Sequence, residues 1–197
     1  PVRRVPRPPN DEKPRKERWS DLDINSIYTA VKFKYGDKPT EIRHRICYAL
    51  SLAVETAMRL GEICTVTKKD YGYEVDEKGN KCHYLYLSTS KNGEERYVPL
   101  STNAKAIVDI LVADLKESDY IMLGKTMEQV SASFRKIKRK AGLGNKRFHD
   151  SRHEATTRLA KKIPNVVILS AITGHKDLKM LKRYYNPTVA ESSSYLE

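Results

Sequence analysis

Apolar positions recur at helical spacing over most of this chain and change to strict alternation only once. From Trp19 onward the first helical run carries Leu22, Ile24, Ile27, Tyr28 and Val31, with Ser20 or Asp21 placed to cap it. After Gly36-Asp37-Lys38-Pro39, Thr40 stands at the head of a second run. There Ile42, Ile46, Ala49, Leu50, Ala53 and Val54 share one face. Between Lys69 and Pro99 the period falls to two, and 71–75, 83–87 and 96–98 read as three short strands. The turn-rich segments 76–80 and 89–93 join them into an antiparallel meander. Helical spacing then returns. Thr102 is expected to cap 103–115, Thr126 to cap a basic helix closed by Gly142, and Asp150 to start a helix reaching about Lys162. Pro164 suits the first turn of a short apolar helix ended by Gly174, and a last helix from about Asp177 is stopped by Pro187. The fold class expected is α+β, mainly helical, with a small three-stranded antiparallel sheet packed on a helical core.

The first eighteen residues fall outside this pattern. They hold five of the nine prolines and almost nothing apolar, so 1–18 read as an extended basic linker and 19–197 as the folded domain. No run of eighteen apolar residues suggests a membrane span, and no apolar stretch near the start suggests a signal peptide. A chain of 197 residues with 39% apolar side chains can bury one core. Cys47, Cys64 and Cys82 are odd in number and lack metal-site spacing, which fits reduced thiols.

Charge changes the picture more than composition does. Lysine and arginine number 37 against 25 acidic residues, a net charge of +12 that points to a polyanionic partner, most simply nucleic acid. Part of the excess lies in the basic helix, where Arg135, Lys136, Lys138, Arg139 and Lys140 fall within six residues and suit a phosphate-contacting face.

Candidate chemistry gathers in 148–186. His149 and Arg152 lie one helical turn apart at a helix start, where exposed N–H groups and the dipole favour an oxyanion. Arg152 offers a planar fork for phosphate, and His149 a donor or proton shuttle. His175 follows, and then the pair Tyr184 and Tyr185. Either phenol needs neighbouring cations to act as a nucleophile near neutral pH. Upstream, Arg59 sits among small and apolar residues with Glu62 three positions on, either to hold its guanidinium or as an ordinary surface salt bridge. Lys91 rides on the second turn of the meander. The competing reading of His149 and His153 as zinc ligands is weak: the order is H-D-S-R-H-E, not H-E-x-x-H, and Arg152 between them would repel a cation.

Taken together, four stretches in this order resemble the catalytic domain of the tyrosine recombinase (phage integrase) family: TAMRLGEI, STSKNGEERYVPLS, FHDSRHEATTRLA and TGHKDLKMLKRYYNPT. The last also looks like the shufflon type of DNA invertase. The resemblance implies that Arg59 and Arg152 are the phosphate-binding arginines, Glu62 a supporting carboxylate, and Lys91 the acid that protonates the leaving oxygen. It makes His149 and His175 the assisting histidines. The nine-residue step from His175 selects Tyr184 as nucleophile. It further implies double-stranded DNA as substrate, a 3′-phosphotyrosyl intermediate, and no metal or other cofactor. The reaction would be integration, excision or inversion, performed by a tetramer on two DNA sites with accessory DNA-bending proteins. The protein is expected in the bacterial cytoplasm, at the nucleoid or a plasmid; the family's N-terminal core-binding domain is absent from these 197 residues, and 1–18 resemble the linker that would follow it. The alternatives are a type IB topoisomerase-like relaxing enzyme and a non-catalytic basic DNA-binding module.

Overall fold

In a computed structural model, described here for residues 17–88, 95–185, 189 and 193, the elements follow the order read from the periodicity. Helix α1 spans Asp21–Ala30, α2 Ile42–Thr56 and α3 Leu60–Thr65. After a 3-10 turn at Lys68–Asp70 come β1 (Tyr71–Val75), β2 (Lys81–Leu87) and β3 (Arg96–Pro99). The helices α4 (Thr102–Val112), α5 (Met127–Lys140), α6 (Asp150–Ala160), α7 (Val166–Thr173) and α8 (Lys179–Lys182) complete the described chain.

The core is built around α2. Its run from Arg45 to Val54 is buried on all sides, as expected of a helix apolar around its whole circumference. Helices α1, α4, α5 and α6 surround it. The one cation in that run, Arg45, donates to the carbonyls of Leu111 (2.9 Å) and Ile121 (2.8 Å), so the buried guanidinium is satisfied by backbone oxygens. A smaller apolar cluster of Ala160, Leu169 and Leu181 joins α6, α7 and α8, and both Tyr184 and Tyr185 pack against it.

The three strands form the antiparallel meander in the order β1-β2-β3, with Tyr71 opposite Leu85 and Leu87 opposite Arg96. Leu85, Leu87 and Val98 turn inward, while Tyr73 and Tyr97 stay exposed.

Three expected details are corrected. Ser101, not Thr102, caps α4, through a bond from the Ala104 N–H to the serine hydroxyl. Glu41 occupies the cap of α2 without a side-chain bond, because the Thr40 hydroxyl is engaged with His44 Nδ1 at 3.3 Å. Leu22, expected on the buried face of α1, is 79% exposed. The Ser20 cap of α1 forms as a reciprocal capping box with Asp23.

The beginning of the described chain is anchored beside the loop that precedes α6. Trp19, fully buried, donates its indole N–H to the Arg147 carbonyl at 3.0 Å. Lys146 pairs with Asp23 at 2.6 Å. Trp19, Phe134 and Phe148 form a chain of ring contacts at 5.8 and 5.2 Å. Phe148 immediately precedes His149, so this packing fixes the approach to α6.

Candidate active site

Arg59 owes its place to a break in the main chain. α2 ends where Ala57 adopts a left-handed conformation (φ 58°), and the chain re-enters a helix with Arg59 at the cap of α3. Glu62, one turn into α3, reaches back. It accepts the Arg59 backbone N–H at 2.7 Å and the Arg59 guanidinium at 2.8 Å. This is not a surface salt bridge, since the Glu62 side chain is 4% exposed.

A second arginine shares the carboxylate. Arg96, from β3, places both terminal nitrogens on Glu62, each at 3.1 Å. Two guanidiniums on one buried carboxylate leave a positive surplus in a partly desolvated place, which an incoming anion would neutralise.

Arg152, 4% exposed on α6, adds a third cation. One of its terminal nitrogens donates to the Ala57 carbonyl at 2.7 Å, and the other lies 3.3 Å from the His175 ring. Burial, and then the neighbouring Arg59, push the Arg152 pKa down to about 9, so the group stays cationic at neutral pH. The left-handed Ala57 therefore serves two arginines: it turns the chain towards Arg59 and leaves its carbonyl for Arg152.

His175 follows Gly174, which closes α7 in a left-handed conformation (φ 68°). The Gly174 carbonyl accepts Arg59 at 3.3 Å. A Cβ at Gly174 would stand 2.9 Å from Cζ and Nε of Arg96, so both the backbone angle and the arginine packing require glycine. The Thr173 hydroxyl lies 2.7 Å from His175 Nδ1. Burial, reinforced by Arg152 and Arg59, pushes the His175 pKa down to about 3, and the ring is neutral at physiological pH.

The two tyrosines part company. The Tyr184 hydroxyl lies 2.8 Å from His153 Nδ1 and accepts a bond from Arg183 at 3.1 Å. Tyr185 instead donates its hydroxyl to the Ile163 carbonyl at 2.6 Å, and burial raises its pKa. The tandem pair thus presents one phenol to the cations and ties the other to the backbone.

His149 stands exposed at the cap of α6, its ring 5.6 Å from that of His153. With Arg59 it lines a cavity of about 930 Å³ whose wall includes the apolar Met127, Phe134 and Phe148 and whose rim carries Arg135, Lys138 and Arg147. Of the basic set on α5, Arg135, Lys136, Arg139 and Lys140 are exposed. Lys138 donates to the carbonyls of Gly144 (2.7 Å) and Lys146 (2.5 Å), bracing the loop that leads to His149. Lys91 lies outside the described residues. Among the described residues no group of three or more His, Cys, Asp or Glu is placed to hold a metal ion.

Arg59 with Glu62 and Arg152 with His175 therefore form two contacting pairs, brought together through the carbonyls of Gly174 and Ala57, with Tyr184 reached through His153 and His149 at the open edge. Three participants carried no such role in the sequence: Arg96, His153 and Arg183. Arg96 left a readable signal. It shares the inward face of β3 with Val98 by period-two alternation, and an inward arginine requires an anion. The sequence offers His153 as a metal ligand or as a hydrogen-bonded histidine of a helical core, and it does not distinguish Arg183 from the surrounding cations.

The profile of the Phage integrase family matches residues 18–191. The chain belongs to the phage integrase family. Among its relatives, a Haemophilus influenzae chain described as an integrase/recombinase is 36% identical over 190 residues, covering 96% of this chain and 59% of the relative. A shufflon-specific DNA recombinase of Escherichia coli is 33% identical over 138 residues, covering 68% of this chain and 32% of the relative. The chain spans about half the length of the curated relatives it matches. Among solved structures, the Tn1549 transposon integrase in complex with transposon right end DNA superposes with a TM-score of 0.63 at 17% identity, covering 95% of this chain and 67% of that one. A lambda integrase dimer bound to a COC′ core site gives 0.61 at 24% identity, covering 88% and 60%. These likenesses establish the integrase catalytic fold, a helical core with a small antiparallel sheet, and agree with the expected family and fold class. No described helix is long and apolar enough to cross a membrane.

Proposed function

We propose that this chain is the catalytic part of a site-specific DNA recombinase in which Tyr184 is the nucleophile. The observation that supports this reading is the cluster of Arg59, Arg152 and His175, together with a Tyr184 hydroxyl that meets His153, the α6 neighbour of Arg152, while the Tyr185 hydroxyl is bonded to the Ile163 carbonyl. A phosphodiester bound here neutralises the positive surplus of the arginine cluster. Arg59 and Arg152 brace its non-bridging oxygens, joined by His175, and their charge stabilises the crowded phosphorus as the phenolic oxygen attacks. The Tyr184 O–H bond breaks, its proton passing to neutral His149 directly or through water, an O–P bond forms, and the bond from phosphorus to the 5′-oxygen breaks. The 5′-oxygen leaves and takes a proton from Lys91, with His149 assisting proton transfer from the open edge. The 3′-phosphotyrosyl bond keeps the energy of the phosphodiester, so a 5′-hydroxyl reverses the steps to rejoin a strand without metal or nucleotide.

The partner is double-stranded DNA. The exposed cations of α5 extend the positive surface beyond the cleft and suit further backbone phosphates. Strand exchange between two sites requires four such protomers, and accessory DNA-bending proteins would shape the sites. Integration, excision and inversion share this chemistry, and the protein would act in the bacterial cytoplasm on chromosomal or plasmid DNA. The linker and an upstream core-binding domain would hold the opposite face of the duplex.

The test is incubation with a nicked suicide duplex in EDTA without nucleotide. A covalent protein–DNA adduct carrying the strand 5′ to the break is expected. Absence of any adduct, with salt-dependent duplex binding retained, would leave a binding module instead. Relaxation of supercoiled plasmid by a monomer, without recombination between two sites, would support a type IB topoisomerase-like enzyme.

A further inference from the structure

His153 and Arg183 surround the Tyr184 hydroxyl in a way that favours one set of proton positions for all three groups. Guanidinium nitrogens can only donate. Arg183 Nη2 lies 3.2 Å from His153 Nδ1, a contact that favours a lone pair on that nitrogen and the ring proton on Nε2. With Nδ1 an acceptor, the Tyr184 hydroxyl, 2.8 Å away, must donate to it. Arg183 also donates to the same hydroxyl oxygen at 3.1 Å and lies over the tyrosine ring, its guanidinium carbon 5.0 Å from the ring centre. Burial, and then the adjacent Arg183 and His149, push the His153 pKa down to about 4, so the ring is neutral and able to accept at physiological pH.

We propose that His153 and Arg183 form a cradle that positions the nucleophile: His153 Nδ1 accepts the Tyr184 proton in a hydrogen bond, and Arg183 donates to the phenolic oxygen. This inference rests on Tyr184 being the nucleophile, as argued above. The division of labour follows from the helix. Arg152 and His153 are consecutive on α6, about 100° apart around its axis, so Arg152 points to Ala57 and His175 while His153 points to Tyr184. One turn thereby holds the phosphate-side cation and the nucleophile. With its proton held by His153, the phenolic oxygen cannot rotate its hydroxyl towards other acceptors. The Arg183 cation favours the negative charge that oxygen carries when it is the leaving group during strand rejoining. His153 is a positioning residue and need not leave with the proton.

The test compares wild type with His153→Ala, His153→Asn and Arg183→Gln in the full chain on the same suicide duplex. Asn places an acceptor oxygen near the position of Nδ1 and serves as the rescue. His153→Ala should lower the single-turnover rate of adduct formation by about tenfold to a hundredfold, the value of one hydrogen bond on a reacting atom. DNA affinity should stay within about twofold, and Asn should recover most of the rate. Peptide mapping locates the adduct in each case. An adduct on Tyr184 forming at the wild-type rate in His153→Ala would overturn the cradle while leaving the nucleophile in place. An adduct on Tyr185 would remove the nucleophile and the cradle together. Ring-nitrogen NMR of the DNA-free protein tests the contact without cleavage. Nδ1 should be unprotonated at neutral pH and its signal should move in Tyr184→Phe, whereas a proton on Nδ1, or no response to Tyr184→Phe, would refute the proposal.

Discussion

Replacing Glu62 with glutamine tests how the arginine cluster is held together. The carboxylate accepts four hydrogen bonds: the Arg59 backbone N–H, the Arg59 guanidinium, and both terminal nitrogens of Arg96, at 2.7 to 3.1 Å. Glutamine keeps the shape, but it exchanges one acceptor oxygen for an amide donor that would face guanidinium hydrogens. It also removes the negative charge that touches both Arg59 and Arg96. Breaking a buried pair from one side costs about 3–5 kcal/mol, because the remaining charge stays desolvated. For a protein of this length each kcal/mol lowers the melting temperature by about 2–4 °C, which gives a fall of roughly 6–20 °C in Glu62→Gln. Urea unfolding should show a lower midpoint with an unchanged slope. Because Arg59, Arg96 and Arg152 would then lack this counter-charge, sulfate should stabilise the variant more than it stabilises wild type, through a tighter site. A loss below about 1 kcal/mol, or equal sulfate stabilisation of the two proteins, would refute the buried-hub reasoning.

Three further outcomes follow from the same geometry. Gly174→Ala should destabilise the protein by at least about 1–3 kcal/mol in urea unfolding and depress adduct formation, because its Cβ meets the Arg96 guanidinium and its backbone is left-handed; wild-type stability would contradict that packing. Stability should fall as pH drops below the ordinary histidine range. His175 and His153 have folded pKa values of about 3 and about 4, so between those values and about 6.5 the unfolded chain binds more protons. Their contribution is present above that window and lost through it, and His175→Gln should flatten the pH slope of unfolding free energy between pH 6 and 4.5, roughly. Replacing Lys136 and Lys140 on α5 with glutamine should reduce the salt slope of duplex binding by about one for each phosphate left without its lysine, and an unchanged slope would remove that face from the DNA path.

The legibility of the chain followed the range of its interactions. Helices and strands were readable because their apolar periods are local, and the Thr126 cap and Gly174 stop were readable for the same reason. The caps of α2 and α4 were misplaced by one residue, since neighbouring hydroxyls compete and only the backbone angles decide. The left-handed Ala57 was invisible, because alanine gives no signal for that conformation, yet two arginines depend on it. In the site, Arg59 with Glu62, and His149 with Arg152 at the start of one helix, could be weighed by spacing. The Arg96–Glu62 and His153–Tyr184 contacts join residues 34 and 31 positions apart, and spacing alone cannot reveal them. The choice between Tyr184 and Tyr185 came from the family spacing, and the Tyr185 bond to Ile163 supplies a physical reason for it.

The most direct measurement is adduct formation on the suicide duplex by wild type, Tyr184→Phe and Tyr185→Phe, with the attached peptide identified. Tyr184→Phe should form no adduct. Tyr185→Phe should form it at near the wild-type rate, while losing about 0.5–1.5 kcal/mol of stability for the missing bond to Ile163. An adduct that survives in Tyr184→Phe and disappears in Tyr185→Phe would contradict the assignment of the nucleophile, and with it the arrangement of cations around it.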